Sequence, residues 1–333
     1  MSLHNHRKRL AKIRSLHSSL LRAERQRIPR EIKIEVTGAC NMDCPFCYNA
    51  NTFGRSKTNL AFGQVERVID EMTELGIPVV RFTGGEPTLH PELGKMVAYA
   101  REQKLYVKVN TNATAGIPSG ADEVLVSFHA LDDMRTKQEV VDALRNQGAI
   151  VVFNTVLTKD TIPHMGEFLD VAHDLGCPHF FAFPVPTKHD PRPVDHDDIK
   201  QAIDWLWKHR EKGAHLAQAI PFCSYEPERI AALNDGVHCG MHENLVIDPS
   251  GNIRMCYSLP DPLGKVGEMK IIDAWNQATV AGVRSFTLLP SVCRQCRYVR
   301  RCLGGCRFAA HLASGDMLAM DPLARPELYQ GRL

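Results

Sequence analysis

No stretch of this sequence approaches the about 18 consecutive apolar residues that a membrane-spanning helix needs. The first thirty residues lack the apolar core of a secretory signal and hold nine Lys or Arg against a single acid, Glu24. Internal repeats and low-complexity tracts are missing as well. With no sign of export, the eleven cysteines, an odd count, point to metal ligation rather than disulfide bridges, and the protein is expected in the cytoplasm. At 333 residues, 44% hydrophobic and 23% charged, the chain is large enough for one or two globular domains that need no covalent staple.

The basic charge belongs to an arm. Leu10, Ile13, Leu16, Leu20 and Leu21 fall on one side of a 3.6-residue helix, so an amphipathic helix is expected within 1–30. It is read first as a helix docked on the domain with a solvated basic face. An anion-binding arm and a cleaved organelle presequence are the alternatives.

From residue 32 onward, short β-branched runs alternate with helical patterns. The strands are "IKIEVTG", "PVVRFTGG", "LYVKVNTN", "EVLVSFHA", "AIVVFNTVLT" and "HFFAFPVP". Helices are predicted over Phe62 to Leu75, Pro91 to Gln103, Met134 to Gln147 and Pro163 to Leu175. This order predicts an α/β fold, a partial TIM-like (β/α)6 barrel over 31–215, followed by a small cysteine-rich unit over 216–333. The third connection, "TNATAGIPSGA", is too short and too rich in Gly and Pro for a full helix, which predicts a tight loop.

The first strand runs into "ACNMDCPFCYN", where Cys40, Cys44 and Cys47 crowd one loop at the carboxyl end of the sheet. Folds of this class place their active sites there. Spacings of four and three also suit one buried helix face, but Gly38, Asn41 and Pro45 favour an irregular loop. A structural zinc site needs a fourth ligand, and no Cys or His follows nearby. Three thiolates on one loop suit a [4Fe-4S] cubane whose fourth iron has no protein ligand.

"CNMDCPFC", with Phe46 before the third cysteine, and "TGGEPT" after the second strand together resemble the radical S-adenosylmethionine (SAM) superfamily. The resemblance implies that Cys40, Cys44 and Cys47 hold a catalytic [4Fe-4S] cluster whose open iron chelates SAM. The cluster would cleave SAM reductively to a 5'-deoxyadenosyl radical. It also implies a cofactor-binding set of Phe46, Gly84, Gly85, Glu86, Pro87, Asn112, Ser127 and Asn154. In that set the glycines admit backbone close to the ligand, and Glu86 accepts from the methionine ammonium. Asn112, Ser127 and Asn154 would meet carboxylate or ribose, and backbone at Phe46 would meet adenine.

The last third carries seven more cysteines, Cys223, Cys239, Cys256, Cys293, Cys296, Cys302 and Cys306. "CGMHENLVIDPSGNIRMC" reads as two strands joined by the "DPSGN" turn. "CRQCRYVRRCLGGC" taken alone reads as a zinc ribbon. The set as a whole resembles the SPASM extension of radical SAM enzymes, which implies one or two auxiliary [4Fe-4S] clusters. By that analogy Cys223, Cys239, Cys256 and Cys306 hold the first, and Cys293, Cys296 and Cys302 the second. Two fully thiolate-ligated cubanes need about eight cysteines, so the second would be one ligand short. Ala324 stands about where the family's last cysteine falls, and Asp316, Asp321, water or substrate are the alternatives for that position. Cys177, before the sixth strand, is read as a core residue.

The implied activity is hydrogen abstraction from a substrate carbon, completed as an oxidation or epimerisation with electron transfer to an auxiliary cluster. An external one-electron reductant such as flavodoxin or ferredoxin is expected, with no membrane or nucleic-acid partner. Only about thirty residues precede the first strand, too few for an added peptide-binding domain. That favours a small polar substrate such as a sugar, aminoglycoside or nucleoside. The alternatives are a ribosomal-peptide maturase and, in another class, a non-enzymatic iron-sulfur or zinc protein. "TGGEPT" counts against the last, because an electron carrier has no use for a SAM pocket.

Overall fold

The structure is a computed structural model that describes residues 27–131, 134–190, 193–217, 219–234 and 239–329. Residues 1–26 of the basic arm, and with them the helix expected there, lie outside the described residues.

All six expected strands form: β1 (Glu31–Thr37), β2 (Val79–Gly84), β3 (Tyr106–Thr111), β4 (Glu123–Ser127), β5 (Ile150–Val156) and β6 (His179–Ala182). Each pairs in parallel with the next. The crossovers carry helices α1 (Phe62–Leu75), α2 (Leu93–Glu102), α3 (Met134–Asn146) and α4 (Met165–Asp174). Between β3 and β4 there is a loop instead, closed by Asp122, which donates its amide to Val107 O and accepts the Val107 amide on Oδ2, both at 2.9 Å. After β6, Asp195 caps helix α5 (His196–His209) by accepting the amides of Asp197 and Asp198 at 3.0 Å. A seventh parallel strand, β7 (Ala214–Leu216), then pairs with β6. Three residues are too few to show a two-residue alternation, so β7 left no mark in the sequence pattern.

Ile32, Ile34, Val36, Val80, Phe82, Val107, Val109, Val124 and Val126 are fully buried, in one core with Val65, Val68, Ile69 and Met72 of α1. Alternate residues turn to the other face, as the pleat requires. There Lys33, Arg81, Lys108 and Glu123 stand side by side in register. They are half-buried and cross-linked by Arg81–Glu31 at 2.5 Å and Lys108–Glu123 at 3.1 Å. The sheet therefore has one apolar, helix-covered face and one polar face.

The carboxyl-terminal third extends this sheet. The predicted hairpin is β8 (Asn244–Ile247) and β9 (Asn252–Arg254), with β10 (Gly264–Lys265) beyond it. Asp248 builds the turn by accepting the Ser250 and Asn252 amides, each at 2.9 Å. Strand β8 pairs in parallel with β1, giving the order β10-β9-β8-β1-β2-β3-β4-β5-β6-β7. A buried ion pair fastens the join: Arg254 of β9 bonds Glu35 of β1, lies 3.4 Å from Asp248, and donates to Tyr257 O at 2.8 Å. Among the described residues no helix is long and apolar enough to cross a membrane.

Candidate functional site

The loop after β1 stays irregular until a short turn at Tyr48–Asn51. Three asparagines tie it to its neighbours. Asn41 exchanges bonds with Asn112 Nδ2 at 3.0 Å and Thr114 Oγ1 at 2.8 Å, beyond the end of β3. Asn49 donates to Gly84 O at 3.0 Å, at the end of β2. Asn51 donates to Pro186 O at 3.0 Å and accepts the Lys188 amide at 3.2 Å, past β6. The cysteine loop is thus held from three sides by strand ends that the sequence keeps far apart.

Within it, the Cys47 amide donates to Cys44 O at 3.1 Å. Burial pushes the Cys44 thiol up to about 11, and its neighbours Cys47 and Cys40 add to the rise. Thiols that resist one another's ionisation need a cation between them before all three can ligate.

Gly84 and Gly85 serve the loop as much as any ligand. The Gly85 amide donates to Thr37 O and the Glu86 amide to Ala39 O, both at 2.7 Å. A Cβ on Gly84, where φ is 145°, would stand 2.4 Å from Thr37 O, and one on Gly85 would stand 2.1 Å from Ala39 O. Only glycine lets the β2 end close on the cysteine loop this way. Glu86 is buried, with Pro87 opening the turn after it. Its carboxylate accepts from Thr88 N at 3.1 Å, Thr88 Oγ1 and Thr111 Oγ1 at 2.6 Å, and Asn112 N at 2.7 Å. It clamps the end of β2 to the end of β3.

Ser127 and Asn154 face each other in register at the ends of β4 and β5. Beside them, His129 packs edge-on against Phe46, ring centroids 5.0 Å apart, and accepts the Val156 amide at 3.3 Å. Burial and the nearby Lys137 cation push the imidazole down to about 4, so it is neutral at physiological pH. Lys137, itself buried, reaches Asn112 O at 3.4 Å. These contacts collect Cys40, Cys44, Cys47, Phe46, Gly84, Gly85, Glu86, Asn112, Ser127 and Asn154 at the carboxyl ends of β1 to β5.

The seven carboxyl-terminal cysteines fall into two groups. Cys223, Cys293, Cys296 and Cys302 line one pocket, together with Phe222 and Ala324. Cys239, Cys256 and Cys306 form the second group: burial raises the Cys306 thiol most, and the nearby Asp321, Cys239 and Cys256 add to the rise. Cys239 and Cys256 also lie near the Lys33 ammonium on the polar face of β1. This division differs from the expected one, which set Cys223 with Cys239, Cys256 and Cys306. Asp316 is exposed, whereas Asp321 is buried and accepts the Cys306 amide at 2.7 Å. Cys177 is buried in the core, 3.5 Å from Arg145.

The radical SAM superfamily model matches residues 34–172, and SPASM, an iron-sulfur cluster-binding domain, matches residues 239–297. The chain belongs to the radical SAM superfamily. It carries a carboxyl-terminal SPASM domain. A PqqA peptide cyclase of Gluconobacter oxydans is 22% identical over 92% of this chain and 93% of its own length. An AdoMet-dependent heme synthase of Methanosarcina barkeri is 23% identical over 88% of this chain and 95% of its own. Among solved structures, Streptococcus suis SuiB bound to precursor peptide SuiA superposes with a TM-score of 0.73 at 17% identity, covering 97% of this chain and 80% of that one.

Membership implies SAM and iron-sulfur clusters, and the donors of this radical SAM chain suit them. A cubane takes one thiolate per iron, so its ligands ring the cluster. Three cysteines on the β1 loop and two further cysteine groups match that requirement in kind. Among the described residues no three His, Cys, Asp or Glu side chains converge on one point as a single ion would require.

Asn41, Asn49 and Asn51 belong to the loop's framework without being marked as such in the sequence. Their only signal was their density around the cysteines, which a surface turn would also show. Lys137 was missed too, because a lysine in a helix otherwise reads as solvated.

Proposed function

We propose that this radical SAM/SPASM enzyme modifies a peptide by abstracting hydrogen from one of its carbons. When bound, the catalytic [4Fe-4S] cluster and SAM supply a 5'-deoxyadenosyl radical for that abstraction. Cys40, Cys44 and Cys47 are the residues proposed to hold the cluster. Glu86, Asn112, Ser127 and Asn154 offer the polar groups for SAM. The neutral ring of His129 supports Phe46 without adding charge to the site.

The observation that carries the peptide reading is the open sheet. Its strand order runs from β10 to β7 without closing, and its polar face is lined by paired charges, Ser127 and Asn154. An extended substrate can enter such a face from the side. The relatives support this reading over the sugar, aminoglycoside or nucleoside expected from the short amino-terminal segment, since several are peptide cyclases. The heme synthase of similar identity motivates a second reading, a tetrapyrrole substrate.

The test is co-expression with the short peptides encoded beside the gene, followed by mass spectrometry. Loss of two hydrogens from one peptide, dependent on Cys40, Cys44 and Cys47, is the expected result. Unchanged peptides together with SAM cleavage stimulated by an iron porphyrin precursor would favour the second reading.

A further inference from the structure

Building on the assignment of auxiliary clusters, we infer that Cys223 is the fourth thiolate of the cluster at Cys293, Cys296 and Cys302, taking the place left by Ala324. Four observations meet at this pocket. Cys223 lines it with all three of the other cysteines, whereas Cys239, Cys256 and Cys306 do not. The amide of Phe222, one residue before, donates to Cys302 Sγ at 3.3 Å, which fixes the Cys223 turn against its partners. Ala324 lines the same pocket, and the amide of the next residue, Arg325, bonds the Cys223 sulfur. The rings of Phe222 and Tyr298 stack edge-on at 5.7 Å, pinning this turn to the segment between Cys296 and Cys302.

The position of Ala324 explains the exchange. A cysteine there would point into a pocket that Cys223 already shares, so either residue can supply the thiolate and only one is needed. The pocket cluster then has four thiolates, one for each iron of a cubane. The ligand shortage moves to the other group. Cys239, Cys256 and Cys306 leave one iron without a thiolate, and this group lies beside Lys33 on the polar face of β1 rather than in the carboxyl-terminal pocket. The buried Asp321 carboxylate, which accepts the Cys306 amide at 2.7 Å, is an oxygen donor beside that shortage.

The assignment can be read from cluster spectra without turnover. In reconstituted Cys40→Ala/Cys44→Ala/Cys47→Ala protein, only the auxiliary clusters contribute electron paramagnetic resonance signals after reduction. Cys239→Ala/Cys256→Ala removes one signal and Cys293→Ala/Cys296→Ala the other, which labels them. Adding Cys223→Ala should alter or abolish the signal that depends on Cys293 and leave the one that depends on Cys239 unchanged. Adding Ala324→Cys to the Cys223→Ala protein should restore it. If Cys223→Ala does not fold, Cys223→Ser keeps an oxygen ligand and should shift the same signal. A change confined to the signal that depends on Cys239 would overturn the assignment alone. Protein that takes up zinc and shows no auxiliary iron signal would overturn the cluster reading and this assignment with it.

Discussion

The ring of Tyr48 lies 4.9 Å from the ring of Tyr257, tilted by 42°. Tyr48 follows Cys47 in the β1 loop, and Tyr257 follows Cys256 after the β8–β9 hairpin. One aromatic contact therefore joins the β1 loop beside Cys47 to the segment beside Cys256. The Lys33 ammonium sits 5.0 Å from the centroid of the Tyr257 ring and adds a cation–π contact to the same junction.

Replacing Tyr257 by alanine removes both contacts and leaves a void between the two cysteine loops. Tyr257 is half-buried, so the fold should lose on the order of 2 kcal/mol, below the usual cost of truncating a fully buried aromatic. Both loops should also retain less iron. Tyr257→Phe keeps the ring and should behave like the wild type. Thermal unfolding with iron analysis of the two variants checks this, and equal losses in both would count against the contact.

Replacing Cys40, Cys44 and Cys47 together by alanine should abolish 5'-deoxyadenosine formation while auxiliary iron survives. Reconstituted wild-type protein should hold about 12 iron per chain and the triple variant about 8. Continued SAM cleavage by the triple variant under strong reductant would refute the proposed catalytic set. About 4 iron with stoichiometric zinc in the wild type would restore a zinc role for the carboxyl-terminal cysteines.

Arg254 and Glu35 are both fully buried, and burial pushes the Glu35 carboxyl up to about 8 against the pull of Arg254, so removing either leaves the other buried without its partner. Arg254→Ala should destabilise the protein by about 3–5 kcal/mol, whereas replacing both partners with apolar residues of similar volume should cost much less. Arg254 also donates to the carbonyls of Tyr257 at 2.8 Å and Leu259 at 3.3 Å. The single variant should therefore disorder the loop that carries Cys256. Denaturant melts of the single and paired variants separate the two contributions.

Stability should fall on acidification because of His179. It is buried among Phe128, Phe153, Phe168 and Phe181, and burial pushes its imidazole down to about 3. The unfolded chain binds the proton near pH 6.5, as free histidine does. Its contribution is therefore complete above about 6.5 and is lost progressively as the pH drops toward 3. His179→Phe should flatten that part of the pH–melting curve. An unchanged slope below pH 6 would show that other groups set it.

The sequence alone determined in what order the elements come and where the cysteines crowd together. Runs such as "IKIEVTG" and "PVVRFTGG" alternate in the two-residue period of a strand with one covered face, and 62–75 repeats with the helical period. Periodicity is local, so it survives without knowledge of contacts. The density of cysteine in 40–47 and 293–306 is legible for the same reason. What lay beyond the sequence was who meets whom. Cys223 stands seventy residues before Cys293 yet shares its pocket, and nothing in the spacing ranks it with that group rather than with Cys239. Strand β8 follows β7 by twenty-eight residues but pairs with β1, where Leu245 and Ile247 join the core of Ile32 and Ile34 and Arg254 of the next strand meets Glu35. Asn49 reaches Gly84, and glycine is required at Gly85, only because the two strand ends close on each other. Pairings between distant segments follow from packing and buried charge, and those act through space rather than along the chain.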